Sequence, residues 1–485
     1  MRKSSPTAPK VHFIGIGGIG TSALARWFLY HGYKVSGWDT PSSLISYTVH
    51  GLDKEGVKIS ITSKPMPIPR DAKLVIYNVA HRDNPQLKKA QSMGIPVKSY
   101  AEALGDVARK YKTIAIAGAH GKSTSTALLS LALIKSGFDP TVIVGTKLKE
   151  FGNRNFRNGK GRYLILEADE YHKSFLNYSP SAAMITNIDK EHLDFYKNLS
   201  EIKRVFLRFI GSIKPRGILV LNKDDHNLFS LKDKIGKIAK KNHLRVFWYG
   251  ARVNPGLARR VQRSLKISGD HNISNSLGVY TLAKELGAKD KDIFKALTSY
   301  CGAWRRMEYK GKFKIQKSNI KIDVYDDYAH HPTEVRATLS GIAQRWPSSA
   351  LICVFQPHQA QRLKLLFKEF ITAFDDADIL ILLDIYKVVG RDGMSHNIDS
   401  SKLAQAISAH LRQAKNRKKM SRAGFIRLKE VIYVPYSANV VNRLKSILSR
   451  PNIIQRESAF GLSQSAIMVM MGAGDIVNHT SSLLK

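Results

Sequence analysis

Residues 113–129 read Thr113-Ile-Ala-Ile-Ala117-Gly118-Ala119-His120-Gly121-Lys122-Ser123-Thr124-Ser-Thr-Ala-Leu-Leu129. A short apolar run suits a buried strand. A turn with two glycines, a lysine and two hydroxyls follows, and then a helical stretch from Ser125 to Ser136. The general phosphate-loop pattern asks for glycine at position 116, where Ile116 stands, so the match is to the shorter Gly-x-x-Gly-Lys-Ser core. The chemistry of the core is complete. Lys122 can meet β- and γ-phosphate oxygens, and the Ser123 hydroxyl can bind Mg²⁺.

Downstream, apolar strand candidates at Tyr163 to Glu167, Ala183 to Thr186 and Ile218 to Leu221 alternate with helical stretches, the pattern of a parallel α/β sheet. Two of these strands end in acidic clusters: Glu167-Ala-Asp169-Glu170, and Thr186-Asn187-Ile188-Asp189-Lys190-Glu191-His192-Leu193-Asp194. Carboxylates at the carboxyl ends of parallel strands sit where open α/β sheets bind ligands. Oxygen ligands suit Mg²⁺ or Mn²⁺, and a histidine beside them is a less common partner, so His192 reads either as a ligand or as a surface or capping residue.

Upstream lies a second glycine turn, Gly15-Ile-Gly17-Gly18-Ile-Gly20, between a strand (Val11 to Ile16) and a helix reaching Tyr30. The following strand (Lys34 to Trp38) ends at Asp39, the spacing of a nucleotide-binding βαβ unit. Packing of the helix on the strand would also require such glycines. Strands at Leu74 to Asn78 and Val97 to Tyr100 continue the alternation, which places a boundary near residue 111. A third run begins after Gly302, with strands at Lys321 to Tyr325, Ala350 to Phe355, Ile379 to Leu383, Glu430 to Val434 and Ala466 to Met470. The expectation is three consecutive α/β domains, 1–110, 111–302 and 303–485, with outer Rossmann-like domains flanking a phosphate-loop ATPase-type centre. The third carries Trp304-Arg305-Arg306-Met307-Glu308 and Asp326-Asp327-Tyr328-Ala329-His330-His331-Pro332-Thr333-Glu334. Paired arginines suit phosphoryl charge or salt bridges, a strand-end aspartate suits a ribose hydroxyl, and the histidines could instead cap the helix after Pro332.

At 485 residues the chain exceeds what one core supports. No apolar run is long enough to span a bilayer and no secretory leader is evident, so no membrane partner is expected. Cys301 and Cys353 have no ligand or disulfide spacing, which fits a reducing cytoplasm. The formal charge of +39 points in general to nucleic acid, an anionic surface or anionic substrates. Its densest runs, Lys234 to Lys241 and Arg412 to Lys419, lack interleaved aromatics and belong to no recognisable nucleic-acid module; they read as solvated basic surface, with 412–422 as a surface insertion.

Taken in order, the two glycine turns with Ser36-Gly37-Trp38-Asp39, Ala-His-Gly-Lys-Ser-Thr, Glu-Ala-Asp-Glu, Asn-Ile-x-x-x-His-x-Asp, Arg306-Met307-Glu308 and Asp-Asp-Tyr-Ala-His-His-Pro-Thr-Glu resemble the Mur ligases over nearly the whole chain. Within them, the resemblance is to the branch that attaches L-alanine to UDP-N-acetylmuramic acid. It implies an ATP- and Mg²⁺-dependent (or Mn²⁺-dependent) carboxylate–amine ligase of the cytoplasm, working through an acyl phosphate in peptidoglycan precursor synthesis. Gly15, Gly17, Gly18, Gly20 and Asp39 would hold the UDP-sugar. Gly118, His120, Gly121, Lys122, Ser123 and Thr124 would hold ATP phosphates, joined by His271, Asn272 and Asn275 on the adenine side, by Arg306 on phosphate and by Asp327 on ribose. Ser123, Glu167 and His192 would hold the metal. Phe355-Gln356-Pro357-His358-Gln359-Ala360-Gln361-Arg362 is similar to the family's Phe-Gln-Pro-His-Arg-Tyr-Thr-Arg, which implies that His358 and Arg362 place the amino acid, and His330 is the candidate base. The chain departs from the family at Ala119 (usually Thr), Gln359 and Ala360. A sister branch that attaches a tripeptide usually has Pro-Arg-Ser where Pro357-His358 stands. The other readings are that branch, a nicotinamide dehydrogenase on the first glycine turn, and an anion-binding protein of ligase ancestry.

Overall fold

The computed structural model describes residues 8–41, 48–49, 51–314, 321–387, 398–415, 420–421, 424–425, 427–435, 439–450, 457–458, 461–462 and 465–485. Part of the expected basic insertion, 416–419 and 422, lies outside them. Three sheets follow one another along the chain, and the contacts group them into two compact units: 1–266 with 273–301, and 267–272 with 302–485.

The first sheet has the order β3-β2-β1-β4-β5, built from β1 (Lys10–Ile14), β2 (Lys34–Asp39), β3 (Lys58–Ile61), β4 (Ala72–Tyr77) and β5 (Val97–Ser99). Every pairing is parallel. The order reverses between β1 and β4, which opens a crevice at their carboxyl ends, where the Gly15–Gly20 turn lies. The second sheet runs β12-β11-β10-β6-β9-β7-β8, with β6 (Lys112–Ala117), β7 (Thr141–Leu148), β8 (Arg154–Arg157), β9 (Tyr163–Ala168), β10 (Ala182–Ile185), β11 (Ile218–Asn222) and β12 (Arg245–Tyr249). Only β8 is antiparallel. Its reversal falls at β6, between β9 and β10, so the phosphate loop and both acidic clusters emerge at one switch point.

These two sheets share a core running from Val11 through Trp27 and Phe156 to Ile235. A polar joint reinforces it beside the helix Ile19–Tyr30. The buried Arg26 guanidinium donates to both Glu55 oxygens at 3.2 Å and to Asn155 Oδ1 at 2.8 Å. Asn155 Nδ2 donates in turn to Ser22 Oγ at 2.9 Å, and Arg154 pairs with Glu55 at 3.0 Å. Removing Glu55 would leave the buried Arg26 charge uncompensated, a loss of about 3–5 kcal/mol.

In the second unit, β13 (Glu308–Lys314), β14 (Lys321–Asp327), β15 (Ala350–Phe355) and β16 (Ile379–Leu383) combine with β19 (Glu430–Val434) and β22 (Ser465–Met471) in the order β13-β14-β22-β15-β16-β19. Two short antiparallel pairs, β17 (Met420–Ser421) with β18 (Gly424–Phe425) and β20 (Glu457–Ser458) with β21 (Gly461–Leu462), stand apart from it. Only β13 is antiparallel within the six-stranded sheet, and β14 and β15 deliver their motifs to the same edge.

The lysines of the helix Lys232–Lys241 are exposed while Ile235 and Ala239 are buried, the solvated basic face expected from the sequence. Among the described residues, no helix is long and apolar enough to cross a membrane.

Candidate active site

In the first unit the helix after β6 begins at Lys122, three residues earlier than the sequence pattern suggested, because Gly121 adopts a left-handed conformation (φ 84°) as its cap. Glycine is needed twice here. A Cβ on Gly118 (φ 132°) would fall 2.0 Å from Thr186 Oγ1, and one on Gly121 would fall 2.4 Å from Asn275 Oδ1. The segment after β10 clamps the loop. Asn187 accepts from the His120 N–H at 2.8 Å and donates to its carbonyl at 2.9 Å, and Thr186 Oγ1 donates to the same carbonyl at 2.6 Å. His120 Nε2 lies 2.9 Å from Asp189.

Lys122 Nζ reaches the Gly118 carbonyl at 2.7 Å, the Ala119 carbonyl at 3.3 Å and Glu170 Oε2 at 3.0 Å. Burial pulls its pKa down, but Glu170, Asp169 and Glu167 outweigh burial and leave it above the usual lysine value. Burial raises Asp169, yet Lys122 and His192 hold it below the ordinary carboxylate range. Ser123 Oγ donates to Glu167 Oε2 at 3.1 Å, and the Gly145 N–H donates to the other Glu167 oxygen at 2.5 Å. His192, at φ 55°, turns Nε2 toward Glu170 Oε1 (3.8 Å) and Asp169 Oδ1 (3.9 Å), with the Tyr171 ring stacked on its imidazole at 4.4 Å.

Of the three metal ligands expected, Ser123 thus meets Glu167, while His192 meets Asp169 and Glu170, two carboxylates quoted in the sequence motif but not chosen as site residues. A hydroxyl, an imidazole and several carboxylates are a donor set that fits Mg²⁺ or Mn²⁺. The Glu170 Oε1 atom is buried without a hydrogen-bond partner, as an oxygen reserved for a cation would be.

The first glycine turn is closed by its own fold. The Gly17 N–H donates to Asp39 Oδ2 at 2.7 Å, Thr40 N–H to Asp39 Oδ1 at 2.8 Å, and Gly15 N–H to the Trp38 carbonyl at 2.8 Å. A Cβ at Gly15, Gly18 or Gly20 would meet His81, Asn78 or Tyr100 at 2.5–2.7 Å. Asn78, His81 and Tyr100 therefore complete this crevice. They come from the ends of β4 and β5, and no spacing rule had singled them out. Asn275 packs on Gly121 as described, whereas His271 and Asn272 begin the same helix but group with the second unit.

In the second unit the arginine pair divides its labour. Arg305 is buried at φ 56° and donates to the Gly472 and Gly474 carbonyls, a structural task. Arg306 is more accessible, with its guanidinium over the Tyr328 ring at 5.1 Å and near Glu334 at 3.9 Å. Asp327 is buried, and burial raises its pKa. Its oxygens accept the Met307 N–H at 2.8 Å and the Ala329 N–H at 2.9 Å, which fixes the arginine loop onto the end of β14.

His331 caps the helix Pro332–Arg345 in a capping box with Glu334. His330 does something else. Its Nδ1 faces two acceptors, the Tyr328 carbonyl at 3.0 Å and Glu334 Oε2 at 3.2 Å, so that nitrogen is a donor. His358 is the converse. Its Nδ1 faces the Arg362 guanidinium, a donor, at 3.3 Å, so Nε2 bears the hydrogen. The two rings lie 5.8 Å apart, and Tyr386, another residue the sequence did not single out, stacks on His358 at 5.5 Å. The two Nδ1 atoms thus play opposite parts, one a donor and the other an acceptor.

Comparison with known proteins agrees along the whole length. The description "Mur ligase family, catalytic domain" matches residues 10–112, "Mur ligase middle domain" 116–283, and "Mur ligase, glutamate ligase domain" 305–474. The UDP-N-acetylmuramate–L-alanine ligase of Acetivibrio thermocellus is 37% identical, covering 98% of this chain and 95% of that protein. The enzyme of the same name from Aquifex aeolicus is 39% identical, covering 78% of this chain and 84% of that protein. Among solved structures, the UDP-N-acetylmuramate-alanine ligase of Thermotoga maritima shares the fold with a TM-score of 0.69 at 22% identity, and a murein peptide ligase from Psychrobacter arcticus with 0.63 at 19%, each covering 98% of both chains. With its phosphate loop, its strand-end carboxylates and its paired histidines in family order, and with relatives of this likeness, the chain belongs to the Mur ligase family.

Proposed function

We propose that this protein is an ATP-dependent ligase that joins L-alanine to the carboxylate of UDP-N-acetylmuramic acid in the cytoplasm, a step of peptidoglycan precursor synthesis. The observation that carries the reading is Lys122, charged and ringed by Glu167, Asp169 and Glu170 at the switch point of the second sheet. Such a site serves phosphoryl transfer, and it leaves the Asp39 turn of the first sheet for the nucleotide-sugar.

In this reading residues 1–110 hold the UDP-sugar, 111–302 the ATP and 303–485 the amino acid. A carboxylate oxygen of the muramic acid attacks the γ-phosphorus and ADP leaves, giving an acyl phosphate. Lys122 and Arg306 neutralise oxygens of the transferring group. Ser123, Glu167 and His192 would hold a divalent cation, which when bound would supply further charge neutralisation. The amine then attacks the acyl carbon, phosphate departs, and the proton lost from the ammonium goes to His330 Nε2, the nitrogen left basic by Tyr328 and Glu334. His358 Nε2–H and Arg362 are donors suited to the amino acid's carboxylate.

The test is phosphate release from ATP with Mg²⁺ and UDP-N-acetylmuramic acid, adding L-alanine, L-serine, glycine or a tripeptide singly. Release dependent on L-alanine is expected. Release only with the tripeptide would move the protein to the recycling branch, and none with any amine would overturn the ligase reading.

A further inference from the structure

Beside the Arg26 joint the first unit holds a cavity of about 360 Å³, away from both glycine turns in its lining. Buried Arg26, Glu55 and Asn155 line it, together with the more exposed Lys54, Lys147 and Arg154. Four cations thus surround one carboxylate, and that carboxylate is spent. Both Glu55 oxygens accept from Arg26 Nε at 3.2 Å, and Oε1 also meets Arg154 Nε at 3.0 Å. Among the described residues, Arg26 Nη2 has no acceptor, Arg154 has no partner but Glu55, and Lys54 has none at all. Burial holds the Arg26 pKa below the usual arginine value; Glu55 opposes the shift and Arg154 adds to it. An arginine keeps its proton in a protein, so a shift in this direction marks a charge that one carboxylate leaves undercompensated.

The cavity is also held in shape. Asn155 Oδ1 accepts from Arg26 Nη1 while its Nδ2 donates to Ser22 Oγ, which fixes the guanidinium on both sides of the amide. The turn between β7 and β8 passes through Gly152 and Asn153, both left-handed (φ 67° and 58°), and pairs Leu148 with Arg154, so that Lys147 and Arg154 come to the same cavity.

We propose that this cavity binds a phosphoryl dianion, as inorganic phosphate or as a small phosphate ester, on Arg26 Nη2, the Arg154 guanidinium and Lys54. Guanidinium forks match phosphate oxygens in geometry, and an ammonium adds a point charge. The volume lies at the lower end for small-molecule sites, room for a phosphate with a group of about sugar size. A bound dianion joins Lys54, ahead of β3, to Arg154 on β8, one residue from each of the first two sheets, and so stabilises the body they form. The inference stands whether or not the two glycine turns take nucleotides.

The test is calorimetric titration of the full-length protein, in chloride buffer, with inorganic phosphate and separately with glucose 6-phosphate. A saturable component of one ligand per chain is expected. It should weaken at least about tenfold in Lys54→Glu and in Arg154→Gln, and persist in Lys122→Ala and Asp39→Asn, which alter the two glycine turns. Lys54 is exposed, so its replacement leaves the fold intact, and Arg154→Gln leaves Arg26 on Glu55. Tighter binding of the ester assigns the site to an ester, and equal or weaker binding assigns it to phosphate itself. No saturable binding of either ligand would overturn the proposal, as would undiminished binding in either cavity variant. Loss of the component in Lys122→Ala or Asp39→Asn would move the ligand to that turn and overturn it as well; should either of those two fail to fold, the cavity variants still decide.

Discussion

The two glycine turns of the first unit are built alike and do opposite things. Each follows a switch-point strand of a parallel sheet and opens a helix, and in each a bare Cα is pressed against side chains from neighbouring strand ends. At Gly15–Gly20 the charged residue alongside is Asp39, which already accepts the Gly17 N–H. At Gly118–Lys122 it is a lysine held among carboxylates. A carboxylate beside a turn repels phosphate and welcomes hydroxyl or N–H donors, whereas a lysine that can swing out welcomes phosphate. In the proposed function both turns take a nucleotide, and the one charge beside each would select which part of it is read.

That contrast can be broken. Replacing Lys122 by alanine should lower kcat/KM for ATP by about a thousandfold or more, measured by phosphate release; a loss below tenfold would mean that charge does not distinguish the turns. Next come the glycines. Gly118→Ala, in a φ of 132° and against Thr186, should destabilise the protein by about 3 kcal/mol, and Gly15→Ala, against the more adjustable His81 ring, by about 1–2 kcal/mol. Denaturant unfolding of the two variants measures both, and a reversed order would show the first turn to be the more constrained. The smallest effect is expected from Asp39→Asn, which keeps an acceptor for one backbone donor but loses the charge. The KM for the UDP-sugar should rise about tenfold while the KM for ATP stays put. A parallel rise in both would erase the distinction.

Much of this arrangement was readable beforehand where chemistry is compressed into contiguous residues. The Gly118–Thr124 loop, the Glu167 and His192 segments and the β14 edge all fell on strand ends as the alternation required, and the strands β1, β2, β4 and β5 lie close to where it put them. What escaped has physical reasons. The strand β7 carries Gly145 in its middle, where Glu167 needs the space, so its pattern reads as broken. The edge strand β13 is polar, Glu-Tyr-Lys-Gly-Lys-Phe-Lys, and its register shifts near Gly311. Glu170 is an ordinary acidic residue in sequence and becomes distinctive only through burial beside Lys122. Tyr386 lies far along the chain from His358, and an isolated parallel bridge beyond the ends of β15 and β16 brings them together. The tautomers of His330 and His358 likewise depend on partners that no local spacing reveals. Ala360 is buried at the start of the helix Ala360–Leu365, and the ring stacked on His358 is that of Tyr386.

The joint of Arg26, Glu55, Arg154 and Asn155 makes the first two sheets one body. Under the proposed function, a nucleotide-sugar anchored at the Gly15–Gly20 turn and a triphosphate at the Gly118–Lys122 loop would be separated by a span the protein cannot stretch. On that reading the enzyme would gauge length: a sugar nucleotide whose carboxylate arm is a carbon too short or too long would bind as firmly as the true one and still never be phosphorylated.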